Sequence, residues 1–79
     1  MNMKMKSDWM PGQPLPKNAG KVTGAAIVTH LVFPISPRTL EKWPLTVKRP
    51  NKATIYEVAE LLAVARAKLD AAPTFKQNA

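Results

Sequence analysis

Pro34 and Pro44 bracket the segment that most constrains this chain. A proline pushes the residue before it out of helical geometry, so any helix before Pro34 ends by Phe33, and Pro44 stops whatever runs up to Trp43. Between them, Ser36 is a favoured N-cap and Pro37 is favoured at the first helical position. Leu40 and Trp43 then share one face, while Arg38, Glu41 and Lys42 take the others. The pattern predicts a helix over 36–43, about two turns long. A helix that short is not stable alone and must be held by contacts from elsewhere in the chain.

The flanking segments supply those contacts. Over 23–32, Thr23 is suited to capping, and Ala26, Ile27 and Leu31 fall near helical spacing. Gly24 and the β-branched Ile27, Val28 and Thr29 weigh against that helix, but a short one remains the best assignment. Residues 46–56 read as a hairpin: Val47, a turn at Arg49-Pro50-Asn51-Lys52, then Thr54, Ile55 and Tyr56. Residues 57–72 carry the strongest helical stripe, Val58, Leu61, Leu62, Ala65 and Leu69. Glu57 and Glu60 near its start, and Arg66 and Lys68 near its end, suit the helix dipole. Pro73 stops it.

Residues 1–18 hold Pro11, Pro14 and Pro16 and few large apolar groups. Such a stretch is expected to be a flexible basic arm, with Trp9 and Met10 as apolar anchors if it docks on DNA or a neighbouring subunit. The expected division is an arm over 1–18, a domain over 19–72 and a tail over 73–79.

Charge narrows the function. Twelve Lys and Arg face five Asp and Glu in 79 residues, a net charge of +7. That surplus on so small a chain favours a polyanionic partner, most commonly nucleic acid. Lys48, Arg49 and Lys52 crowd one small turn, and folding alone gives no reason for three mutually repelling cations there. With no Cys, neither a disulfide nor a thiolate metal site is available. One His, scattered acids and three Gly supply no triad, metal cluster or phosphate loop. The chain is therefore expected to be no enzyme and to need no cofactor or metal. No apolar run approaches the ~20 residues of a membrane span, and no apolar stretch follows the basic start as in a signal peptide. A cytoplasmic, nucleoid-associated location and no membrane partner are expected.

The element order is helix, irregular turn, short capped helix, basic hairpin, long helix. A helix-turn-helix lays its second helix in the major groove, and a basic hairpin beside it reaches flanking phosphates or the minor groove. The expected fold is mostly α with a small β-hairpin wing, a winged helix-turn-helix. Candidate DNA-binding residues are Ser36, Arg38, Thr39, Glu41 and Lys42 on the second helix, and Lys48, Arg49, Asn51 and Lys52 on the wing. Arg38, Thr39 and Lys42 are suited to base edges or phosphates in the major groove; Glu41 suits a cytosine amino group, although an exposed acid is more often plain surface. Leu40, Trp43, Tyr56, Leu61 and Leu62 are expected to hold the elements together.

The string Ile35-Ser36-Pro37-Arg38-Thr39-Leu40-Glu41-Lys42-Trp43 resembles the second helix of MerR-like winged helix-turn-helix domains. It is similar to the pattern in excisionases, also called recombination directionality factors, of phages and integrative elements. The wing end resembles Ile55-Tyr56 and the next helix resembles Glu57-Val58-Ala59-Glu60-Leu61, so the likeness spans roughly residues 22–69. Residues 30–34 depart from it, since the family normally has a compact turn with a Gly there. The resemblance implies a protein that binds double-stranded DNA at repeated sites near a recombination attachment site. It implies DNA bending, help to an integrase partner, side-by-side homo-oligomers on DNA, and control of a neighbouring promoter. The alternatives are a small transcription regulator without a recombination role, and a protein–protein adaptor using the long helix or Trp9 and Met10. RNA binding is a weaker third, because few aromatics are present for stacking on single strands.

Overall fold

The computed structural model describes residues 9–76. Three helices and a three-stranded antiparallel sheet form a mixed α/β fold, with the order β1 (Asn18–Ala19), α1 (Lys21–Leu31), α2 (Pro37–Leu40), β2 (Val47–Lys48), β3 (Ile55–Glu57) and α3 (Val58–Ala71). The sheet therefore holds one strand more than the predicted hairpin. Its order is β1-β3-β2, with Ala19 and Val47 both paired to Tyr56 from opposite sides. Tyr56 is thus the centre of the sheet, and it is buried.

β1 falls where the arm was expected to end; residues 1–8 of that expected arm, like 77–79 of the expected tail, lie outside the described residues. From Trp9 on, the described part of 1–18 is built into the domain. Trp9 belongs to the core at 6% exposure and meets His30 edge-to-face at 5.8 Å. Its indole Nε1 donates to the Gln13 carbonyl at 3.2 Å. Gln13 closes a turn by donating its N–H to the Met10 carbonyl at 3.1 Å. Gly12 takes φ +97 in that turn after Pro11, the conformation a type II turn demands at that position. Met10, the other expected anchor, is 61% exposed.

α1 starts two residues before Thr23, with Gly20 in extended geometry at the N-cap position. Its Gly24, which weighed against a helix, has a packing reason. A Cβ there would lie 3.0 Å from Leu61 Cδ2 and 3.1 Å from Leu40 Cδ1. The bare backbone lets α2 and α3 close onto α1. The connection to α2 needs no glycine. The Thr29 hydroxyl donates to the Ile35 carbonyl and accepts from the Ile35 N–H, both at 3.1 Å, clamping the turn from the last part of α1.

α2 itself spans four residues. Its helical course continues through N–H bonds from Glu41 to Arg38, Lys42 to Thr39 and Trp43 to Leu40, at 3.1–3.2 Å. The predicted two turns are therefore one α-helical turn and a tighter 3₁₀-like turn. Ser36 occupies the N-cap position but makes no side-chain cap; its hydroxyl lies 3.2 Å from that of Thr39.

Ile27, Val28, Leu40 and Leu61 are the largest fully buried side chains. Each contributes about 1.5–3 kcal/mol through removal from water. Trp43 is half-buried rather than central, edge-to-face with Phe33 at 6.1 Å and with the Lys68 ammonium 5.4 Å from its ring centre. Leu69, expected in the buried stripe of α3, is 49% exposed, because the last turns of α3 extend past the core. The Glu60 carboxylate accepts from the Thr46 N–H at 3.1 Å and the Thr46 hydroxyl at 3.3 Å, tying α3 to the entry of β2.

Candidate functional site

α2 with the residues that flank it, and the end of β2 with the loop that follows, carry every candidate DNA-binding residue read from the sequence. Ser36, Arg38, Glu41 and Lys42 are exposed, and Thr39 is half-buried. Leu40 fixes this short segment from behind, at 1% exposure between α1 and α3. The arrangement leaves two cations on a solvent-facing helical turn whose backbone is anchored by one buried leucine.

Lys48 at the end of β2 and Arg49, Asn51 and Lys52 on the β2–β3 connection are exposed. Two side-chain bonds shape it. Arg49 Nε donates to the Thr54 hydroxyl at 3.2 Å across the loop. Asn51 Oδ1 accepts the Ala53 N–H at 2.8 Å, the local turn that Asx side chains favour. Asn51 is thus committed to loop shape through its oxygen, while Lys48 and Lys52 stay in solvent.

Two clefts relate the loop to α2. One, about 410 Å³, is lined by Glu41, Trp43, Arg49 and Tyr56 among others. The other, about 490 Å³, is lined by Lys21, Glu41, Lys52 and Thr54 among others. Glu41 lines both, so the end of α2 and the loop face shared space. Arg38, Lys42, Lys48 and Asn51 line neither. A third cleft of about 520 Å³ beside Trp9 and Pro16 is lined by no charged side chain.

Lys21 is the functional candidate that sequence reasoning missed. Its ammonium donates to Glu41 Oε2 at 2.9 Å, with both side chains about half exposed. That hydrogen bond, and the lysine charge with it, hold the Glu41 carboxyl below the ordinary glutamate range. Nothing local in the sequence marks the pair, because Lys21 opens α1 and Glu41 follows the last residue of α2, twenty positions later. Glu41 also acts on Tyr56. Burial is the main reason that the Tyr56 phenol ionises above its ordinary range, and the Glu41 charge adds to it.

Among the described residues, no group of three or more His, Cys, Asp or Glu is placed to hold a metal ion. No helix among them is long and apolar enough to cross a membrane. No protein-family model, curated protein or solved structure matches the chain.

Proposed function

We propose that the protein binds double-stranded DNA sequence-specifically as a winged helix-turn-helix, with α1 and α2 as the helix pair and the β2–β3 loop as the wing. The observation that carries this reading is the division of α2 and the turn that continues it: Leu40 is buried while Arg38 and Lys42 are exposed. A recognition helix needs that division, an apolar anchor behind and polar side chains in front. Arg38, Thr39 and Lys42 then meet base edges or phosphates in the major groove. Lys48, Arg49 and Lys52 neutralise the phosphates alongside or enter the adjacent minor groove. The action is electrostatic and mechanical, without covalent chemistry. Neutralising ~5 phosphates gives a salt slope of about −4 to −5.

Within that class, the reading favoured is an excisionase that bends DNA at attachment sites, works with an integrase and binds side by side in several copies. Its support is the resemblance of residues 35–43 to that family. Fluorescence anisotropy on a random-sequence duplex at low salt tests DNA binding; no affinity there sinks it and favours a protein–protein adaptor. A footprint across an attachment site tests excision. Protection at a promoter alone would leave a transcription regulator.

A further inference from the structure

We propose that Lys21 is a DNA-phosphate contact held in reserve by Glu41, so that duplex binding exchanges the Lys21–Glu41 ion pair for a Lys21–phosphate pair. The inference rests on the DNA-binding reading and adds to it a residue on α1 and a competing acid at the C-cap of α2.

The cleft that holds the pair is lined by the start of α1, by Glu41 at the end of α2, and by Lys52, Ala53 and Thr54 of the loop. Lys52 and Lys21 are the cations of that lining, and Glu41 is its acid. A phosphodiester entering beside α2 and the loop meets both lysines at once. One of them is already engaged, at 2.9 Å. The engagement is weak by its setting. The two side chains are 53% and 50% exposed, and pairs in such contact with water and salt contribute little to stability. A phosphate, carrying the same charge as the carboxylate, competes for the ammonium on equal terms and releases counterions as it binds. Glu41 loses its partner in that exchange and is left beside a phosphate, so it lowers affinity for any duplex, whatever its sequence. Glu41 is a carboxylate at neutral pH, as an ordinary glutamate is, and so competes for the ammonium there.

The test is a double-mutant cycle on a random-sequence duplex, read by anisotropy over a series of salt concentrations. Lys21→Met keeps the aliphatic stem, and Lys21→Arg restores the charge. Lys21→Met should weaken binding and flatten the salt slope by about 1, and Lys21→Arg should recover both. Glu41→Gln should strengthen binding several-fold. That gain should be larger with Lys21 present than in the Lys21→Met background, because only then does it include the ion pair no longer broken. Equal gains in the two backgrounds, or an unchanged slope in Lys21→Met, overturn the exchange while leaving DNA binding intact. If the unaltered chain shows no salt-dependent affinity for the duplex, the exchange and the DNA-binding reading fall together.

Discussion

Gly24 of α1 and Leu40 of α2 approach so closely that a Cβ on the glycine would lie 3.1 Å from a Leu40 methyl. The same Cβ would meet a Leu61 methyl at 3.0 Å, and both leucines are fully buried. Ala in a helix is favoured over Gly by about 1 kcal/mol. Overpacking a filled core costs about 1–3 kcal/mol. With neither leucine free to swing into solvent, packing wins. Gly24→Ala should lower stability by about 1 kcal/mol in urea denaturation, and Gly24→Val by more. A stabilised Gly24→Ala would mean that α1 and α2 are not in this contact.

Trp9 and Met10 are adjacent in sequence but differ in burial, at 6% and 61% exposed. Trp9→Ala should cost about 3 kcal/mol, as loss of a buried aromatic does. Met10→Ala should stay within ~0.5 kcal/mol of the unaltered protein. Equal, small effects would return Trp9 to a loose arm.

The Thr29 hydroxyl alone clamps Ile35 from both sides. Thr29→Val keeps the shape and removes both bonds. A stability loss of about 1 kcal/mol is expected, modest because the site is open to water. Faster amide exchange at Ile35, relative to residues within α1, is the specific readout.

Arg38 and Arg49 separate the two parts of the proposed interface. Arg38→Ala should relax sequence preference by about 1–3 kcal/mol at one base position if its contact is to a base edge. Arg49→Ala should weaken all duplexes about equally and flatten the salt slope by about 1. An unchanged affinity at low salt in Arg49→Ala would rule out the loop as a wing.

Two titrations report on Glu41. Its carboxyl carbon should titrate below the ordinary glutamate range by NMR and move back up in Lys21→Met. A carboxylate with a lowered pKa in the folded state stabilises the fold above its unfolded value. That contribution fades as pH falls through the folded value. Tyr56 runs the other way. Its raised phenol favours the fold fully below the ordinary tyrosine value, and the benefit is lost as pH rises through the folded value. Phenolate absorbance against pH should place that transition above free tyrosine, and lower in Glu41→Gln than in the unaltered chain.

What could be read from the sequence divides by range. The α3 stripe, the Pro37-led turn and the cationic loop were legible because their signals lie within one element. β1 was not, since two residues without β-branching show no strand pattern and exist through pairing with β3. The prolines near Trp9 suggested a loose arm, yet Pro11-Gly12 makes the turn that brings Gln13 to Trp9. Gly24 looked like a defect because helix propensity counts only the helix itself, whereas its value lies in what it lets approach. On the candidate site, the exposure of Arg38, Lys42, Lys48, Arg49 and Lys52 followed from charge. The Lys21–Glu41 pair and the Glu60–Thr46 tie did not, because each joins residues distant in sequence.

The strand order has a consequence for synthesis. β1 emerges from the ribosome first among the strands and β3 last, yet β3 is the one both others pair with. Until Tyr56 and Glu57 have been made, the nascent chain has two orphan strands and no sheet. α3, which follows β3 without a linking residue, supplies Leu61 and Leu62 later still. A chain that stalls within the loop at 49–54 therefore has no sheet and lacks much of its core. Folding therefore waits for β3 and α3, and until they are available the chain is a polybasic, unfolded precursor that chaperones and proteases meet first.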